Sequence, residues 1–195
     1  MTLQQKFYEK SLIERSFLKM IFDNLPKNYD YKTYMTPADG KDIYDAILLR
    51  FEKNSSKLID RYIIEIKVRD THYPDLMLEK IKYNDLKRLR TRLDNKTNSE
   101  CYTQIKSRLV YISVTPEGTY WFDLDKLQSN FNWTTERHWR STTNKSAGKI
   151  EKELTLINIK MAKHFNIKTG DYFNKQATER LMVSHSRTKQ LGIIF

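Results

Sequence analysis

The segment from Asp45 to Lys67 carries the charged residues whose types and spacing could do chemistry in this 195-residue chain. It contains two apolar stretches joined by a polar turn, with Asp45 in the first and Glu65 and Lys67 in the second. Side chains two residues apart on a strand project from the same face, so Glu65 and Lys67 are predicted to lie side by side. Charged groups on an otherwise apolar hairpin are costly unless a metal or substrate engages them. The pattern therefore favours metal-dependent cleavage of a phosphodiester.

The elements that must position these residues are two strands, predicted over residues 43–51 and 58–68. If the turn between them centres near Ser55, antiparallel pairing places Asp45 opposite Glu65, give or take a residue. Apolar residues on both faces of the second stretch indicate a central strand that is covered on both sides. Asp42 is an alternative acid, but it lies nearer the preceding loop, so we favour Asp45.

Hydrolysis of a phosphodiester needs a divalent metal that neutralises the phosphate and acidifies a water molecule. Mg²⁺ or Mn²⁺ prefers oxygen ligands, and Asp45, Glu65 and the backbone carbonyl of Ile66 are predicted to supply them. Lys67 would lie beside the attacking water, where it would lower the pKa of that water or stabilise charge on the phosphorane.

A further acid is predicted from the N-terminal helix, which we expect over residues 3–25, before Pro26. Glu14 lies near the middle of the apolar stripe of this helix, whereas Glu9 lies on the far side. Glu14 is therefore predicted to face inward and to join the catalytic residues. A structural ion pair between Glu14 and a nearby cation such as Lys10 is the open alternative.

Over roughly the first half of the chain, these residues resemble the PD-(D/E)xK nuclease superfamily, which has the restriction-endonuclease-like fold. Asp45 matches the first acid of that family, and residues 65–67 match its E-x-K element. Glu14 fits the glutamate that an N-terminal helix of the family often contributes. Tyr44 stands where the family places a proline. The resemblance implies a Mg²⁺-dependent deoxyribonuclease with Asp45, Glu65, Lys67 and Glu14 in its active site.

The segment after the E-x-K element adds a partial match to the same family. We predict a helix over residues 75–93, and Glu79 and Tyr83 are four residues apart on its apolar side. Some exonuclease-like members carry a glutamine and a tyrosine with this spacing. The resemblance implies that Tyr83 contacts the DNA backbone. A surface salt bridge to Lys82 is the alternative explanation of Glu79.

The formal net charge of +11 predicts a polyanionic partner, most simply double-stranded or branched DNA. A generally basic, solvated surface is the alternative. Cationic side chains that we expect to contact phosphates lie in the helix predicted over 75–93 and in the basic segment 137–152, most of which falls in a loop predicted over 130–148. They are Lys80, Lys87, Arg88, Arg137, Arg140, Lys145 and Lys149.

Cysteine usage and hydropathy bound the environment in which the chain works. Cys101 is the lone cysteine, which excludes an intramolecular disulfide and a zinc site built from several cysteines. No apolar run reaches the length of a membrane span, and the N-terminus lacks a signal-peptide block. We therefore expect no membrane partner and a cytoplasmic location, in the host cytoplasm if the protein is viral.

We predict one α/β domain over residues 1–195, with a mixed central sheet of about four or five strands flanked by helices. Strands predicted over 108–114 and 119–122 form a hairpin, residues 150–159 fit either strand or helix, and a helix is predicted from 176 to about 183. Residues 130–195 form a basic C-terminal extension, and the sequence does not decide its overall structure. Two alternatives to a general nuclease remain. One is a Holliday-junction-type resolvase of the same fold, with which a homodimer would be consistent, and the other is a non-catalytic nucleic-acid-binding or virion structural protein.

Overall fold

Two sheets and three α-helices make up the part of the chain that the computed structural model describes. That part comprises residues 2–39, 42–101, 105–140 and 148–165 with Thr169 and Phe173, and for residues 97–101 the backbone alone. The elements in chain order are α1 (Leu3–Asp23), β1 (Tyr29–Met35), β2 (Ala46–Glu52), β3 (Leu58–Val68), β4 (Asp75–Glu79), α2 (Lys80–Cys101), β5 (Arg108–Thr115), β6 (Gly118–Asp123), α3 (Leu124–Leu127), β7 (Thr134–Trp139), β8 (Lys149–Asn158) and β9 (Lys163–Phe165).

The main sheet is mixed and has six strands in the order β1-β2-β3-β5-β6-β9. Strands β3 and β5 are parallel, whereas the other neighbours in this sheet are antiparallel. A second sheet has three strands in the order β4-β8-β7. The predicted α/β class with a mixed sheet is confirmed, but the predicted number of strands was too low.

Strand β1 has no counterpart among the predicted strands, and the reason lies in its position. It is an edge strand that pairs with β2 alone, and its last four residues are exposed. An edge strand buries little apolar surface, so its sequence lacks the alternation by which strands are recognised.

The helix predicted over 75–93 begins five residues later than expected. Leu76 and Leu78 are buried at 3% and 0% exposure in strand β4, which pairs with β8. Buried residues two apart fit a strand, but within this segment they also fit the start of a helical stripe. Glu79 is consequently the last residue of β4 and does not share a helical face with Tyr83.

The second half of the chain contributes strands to both sheets. The segment 150–159, which fitted strand or helix, lies almost entirely in strand β8, and β7 lies within the predicted basic loop. Strand β9 returns to the main sheet and pairs with β6. The β5–β6 hairpin was predicted correctly, whereas the helix predicted from 176 lies outside the described residues.

Helices α1 and α2 cover opposite faces of β3, as its two apolar faces predicted. Phe17, Leu18 and Ile21 of α1 pack with Ile64 and Ile66 in one core cluster. A second cluster on the other face joins α2 to Ile63 and β5. No helix among the described residues is long and apolar enough to cross a membrane.

Candidate active site

Asp45 lies immediately before β2, beside the carboxyl end of β3. Ala46 pairs with Ile64, and the N–H of Asp45 donates a 2.8 Å hydrogen bond to the carbonyl of Ile64. Asp45 is therefore next to Glu65, as the position of the turn predicted. Its Oδ2 accepts a 2.8 Å hydrogen bond from the N–H of Ile66, which holds the carboxylate against the E-x-K strand.

The other oxygen of Asp45 binds Arg15 of α1, with Nη1 at 2.8 Å from Oδ1. The guanidinium of Arg15 also donates to the carbonyl and to Oγ1 of Thr36, at 2.9 and 2.7 Å. Burial by itself raises the pKa of Asp45, but Lys67, the N–H of Ile66 and Arg15 outweigh it and hold the pKa below its ordinary value. Asp45 is therefore a carboxylate at neutral pH.

Glu65 is 3% exposed and binds two lysines. Its Oε1 lies 2.9 Å from Nζ of Lys67, and its Oε2 lies 2.8 Å from Nζ of Lys82 in α2. Burial raises the pKa of Glu65, although both lysines oppose that rise. The two E-x-K side chains thus lie side by side, as the strand period predicted.

Lys67 is the central cation of the site. Its Nζ lies 3.6 Å from Oε1 of Glu14 as well as 2.9 Å from Glu65, and Asp45 is close enough to stabilise its charge. Burial lowers the pKa of Lys67, but these carboxylates outweigh burial and raise the pKa above its ordinary value. Lys67 therefore carries its proton at neutral pH and acts here as a positive charge, not as a base.

Glu14 faces inward from α1, where the helical phase placed it. It is 4% exposed, and its Oε1 is buried without a hydrogen-bond partner. Burial raises the pKa of Glu14 despite the attraction of Lys67. Glu9, one and a half turns earlier, is exposed.

These residues line a pocket of about 330 Å³ with a nearly balanced set of charges. The charged residues that line it are the acids Glu14, Asp42, Asp45, Glu65 and Glu79 and the cations Lys10, Arg15, Lys67, Lys82, Arg140 and Lys152. A second hollow of about 740 Å³ shares Glu65, Lys67 and Lys82 with it and extends along β3 to Tyr73. The two hollows therefore adjoin at the E-x-K residues.

Three cations pair with acids of the site in ways that were not predicted from the sequence. Lys82 lies one turn before Leu86 on the buried stripe of α2, and a lysine in line with such a stripe is the signal that would have found it. Arg15 directly follows Glu14 on α1. Lys152, whose Nζ is 2.8 Å from Oε1 of Glu79, has no local signal because β8 reaches the site only through its pairing with β4.

Tyr83 is the predicted DNA contact that the structure places elsewhere. It is 5% exposed in the core, its ring packs edge-on to Phe131 at 5.2 Å, and its hydroxyl donates to Gln128 at 3.3 Å. The start of α2 at Lys80 turns Tyr83 toward the core beneath α2, away from the site. Tyr83 is therefore a core residue.

The predicted phosphate-binding cations are dispersed. Arg140 lines the pocket. Lys80 does not line it, and its Nζ lies 2.6 Å from Oε1 of Glu153. Lys145 lies outside the described residues. The remaining cations of that prediction are exposed on α2, β7 and β8, and they are Lys87, Arg88, Arg137 and Lys149.

The donor set at the site consists of hard oxygens. The N–H and C=O of one strand residue point the same way, so the Ile66 carbonyl is directed toward Asp45, as its N–H is. Among the described residues, no group of three or more His, Cys, Asp or Glu side chains is arranged to hold a metal ion. The predicted oxygen donors for a divalent cation are those of Asp45, Glu65 and the Ile66 carbonyl, with Oε1 of Glu14, which has no hydrogen-bond partner, as a further one, and hard oxygens of this kind suit Mg²⁺ or Mn²⁺.

Comparisons with known proteins do not assign this site. No protein-family model, no curated protein and no solved structure matches the chain.

Proposed function

We propose that this protein is a metal-dependent nuclease that hydrolyses DNA phosphodiester bonds with a PD-(D/E)xK-type active site. The observation that carries the proposal is the convergence of Asp45, Glu65 and Lys67 in an open pocket at the end of the central strand. Holding ionised groups at this degree of burial costs several kcal/mol per group, of order 5 kcal/mol. Such a cost is repaid where the charges act on a ligand.

Asp45, Glu65 and the Ile66 carbonyl would hold the divalent cation. The bound cation supplies positive charge for the scissile phosphate and lowers the pKa of a coordinated water. Asp45 is kept ionised by its partners, and Lys82 orients the carboxylate of Glu65. Lys67 keeps its proton on Nζ and stabilises the negative charge that develops on the phosphate.

Further cations that line the pocket support a polyanionic substrate. Lys10, Arg140 and Lys152 line the same cavity as the acids, and the chain as a whole carries a net charge of +11. Excess positive charge raises the local concentration of nucleic acid and aligns its phosphates. Long-range attraction would thereby bring phosphates to a site whose inner charges are nearly balanced.

The proposal is tested by Lys67→Ala and Asp45→Ala, assayed on plasmid, linear and branched DNA with Mg²⁺ and with Mn²⁺. Each variant should lose about 100-fold or more in cleavage rate, the usual effect of removing a group that stabilises transition-state charge. Lys19→Ala is the matched control, because Lys19 is an exposed lysine on α1 that does not line the pocket. Undiminished cleavage by both site variants would refute the proposal, and preference for branched DNA would identify a resolvase.

A non-catalytic nucleic-acid-binding protein is the second candidate, and one observation favours it. Arg15 binds Asp45 and Lys82 binds Glu65, so both proposed metal ligands already have cationic partners within the protein. Calorimetric titration with Mg²⁺ separates the two candidates. Binding that is lost in Asp45→Asn with Glu65→Gln supports the nuclease, whereas the lack of such binding supports the second candidate.

A further inference from the structure

A second cavity, of about 430 Å³, lies at the opposite end of the main sheet beneath the end of α1. All six strands of that sheet contribute to its lining, and it shares no lining residue with the pocket around Lys67. Tyr62 of β3 lines it and is three residues from Glu65, about 10 Å along a strand. The odd separation puts Tyr62 and Glu65 on opposite faces of β3, so the two cavities are separate sites.

The walls of this cavity are aromatic. The ring of Tyr62 lies 5.7 Å from that of Trp121 at 75°, and the ring of Trp121 lies 5.6 Å from that of Phe165 at 45°. Tyr29 and Tyr31 line the side formed by β1. Burial raises the pKa of Tyr62 to about 12, so its hydroxyl stays neutral. Partly buried aromatic faces of this kind suit the stacking of a planar heterocyclic ring.

The same cavity carries an excess of cations. Its lining contains four cationic side chains and the single carboxylate of Asp123 among the described residues. The cations are Arg50, Arg108, Lys126 and Lys163.

These four cations differ in their burial and in their contacts with carboxylates. Arg50 is held by Asp60 and stacks on Tyr29 at 4.6 Å, yet its Nε is buried without a hydrogen-bond partner. Arg108 also contacts Asp60, at 3.4 Å, and Asp123, at 3.8 Å, but its side chain is 43% exposed. Lys126 and Lys163 are exposed at the rim. Exposed cations beside aromatic faces present a phosphate-binding edge next to a ring-binding wall.

We propose that this cavity binds a nucleotide, with the base against Tyr62 and Trp121 and the phosphate on Arg108, Lys126 and Lys163. Its volume lies within the range of small-ligand sites, about 300–1,000 Å³. The ligand is either a free mononucleotide or a terminal unit of a nucleic-acid strand, which present the same base and phosphate. The proposal does not depend on the nuclease activity, because the two cavities share no residue.

Calorimetric titration with adenosine 5′-monophosphate, in EDTA so that no cleavage occurs, tests this site. The double variant Lys126→Glu with Lys163→Glu should weaken binding by about tenfold or more, since both residues are exposed and their loss leaves the core intact. Lys6→Glu with Lys19→Glu makes the same change in net charge at exposed positions outside the cavity and should bind as wild type. Trp121→Leu, checked for cooperative thermal unfolding, should weaken binding by about tenfold through lost stacking.

Three probes distinguish the parts of the ligand and its source. Adenosine and inorganic phosphate should each bind about tenfold or more weakly than the nucleotide, because each retains one half of the contacts. Tighter binding of 5′-phosphorylated hexadeoxyadenylate than of the mononucleotide identifies a strand end, and equal or weaker binding identifies a free nucleotide. The proposal is overturned if the mononucleotide does not bind, if both double variants weaken it equally, if phosphate binds as tightly, or if Lys67→Ala abolishes the binding.

Discussion

Replacing Glu14 by glutamine tests whether the ionised form of this buried side chain destabilises the folded protein. Glu14 is 4% exposed, and its Oε1 is buried without a hydrogen-bond partner and 3.6 Å from Nζ of Lys67. Burial raises the pKa of Glu14 even with Lys67 nearby, so the folded protein disfavours the ionised form. Glutamine keeps the shape of the side chain and removes the charge.

The expected gain in stability follows from the charge of Glu14. Burial makes the ionised carboxylate unfavourable in the folded protein, and the attraction of Lys67 offsets part of that cost. We therefore expect Glu14→Gln to raise the free energy of unfolding at neutral pH by about 1 kcal/mol. In a chain of this size, each kcal/mol raises Tm by about 2–4 °C.

The pH dependence gives the prediction its sign. Below the ordinary pKa of 4.5, Glu14 is protonated in both the folded and the unfolded state, so wild type and variant should be equally stable. As the pH rises from 4.5 through the raised pKa that Glu14 has in the folded protein, the wild type loses stability and the variant does not. The difference should then remain constant at higher pH.

Urea unfolding of wild type and Glu14→Gln across this pH range, in EDTA, measures the difference. Glu9→Gln is the matched control, since Glu9 is exposed on the same helix and should change stability little at any pH. The same Glu14 variant should cleave DNA about tenfold more slowly if Glu14 takes part in the site, and greater stability with lower activity is the expected trade-off. Destabilisation at neutral pH, or a gain that is unchanged below pH 4.5, would refute the reasoning.

Three further substitutions test other parts of the structure. Arg15→Ala should lower the free energy of unfolding by about 3 kcal/mol, measured in urea, because it leaves buried Asp45 without its guanidinium; a loss below about 1 kcal/mol would contradict the pairing. Gly118→Ala should cost about 1–3 kcal/mol, since φ is 149° and the added Cβ would clash with Nε2 of His164; an unchanged Tm would argue against this close approach. Tyr83→Phe removes one 3.3 Å hydrogen bond and should lower the free energy of unfolding by about 1 kcal/mol with no change in cleavage rate. Slower cleavage by the folded variant would indicate that Tyr83 contacts DNA after all.

Local periodicity was sufficient to predict the placement of the central site residues. The two-residue period of a strand put Glu65 beside Lys67, and the polar turn set the register that brings Asp45 to Glu65. The helical period turned Glu14 inward and Glu9 outward. These relations lie within one element or one hairpin, so nearby sequence determines them.

Periodicity failed where a segment fits two structures and a distant partner decides between them. Leu76 and Leu78 suit the start of a helix as well as a strand, and β4 forms because β8 pairs with it. The change of element moved Glu79 to the end of a strand, where it meets Lys152. The same change of phase placed Tyr83 in the core.

The sequence by itself determined the grouping of Asp45, Glu65 and Lys67, the hairpin that carries them and the basic character of the chain. Residue type and short-range spacing are enough for these features. The tertiary structure alone decided which cations neutralise the acids, with Arg15 on Asp45 and Lys82 on Glu65. It alone assembled the second cavity, to which all six strands of the main sheet contribute. Packing between elements remote in the chain depends on the whole fold, so no local pattern encodes it.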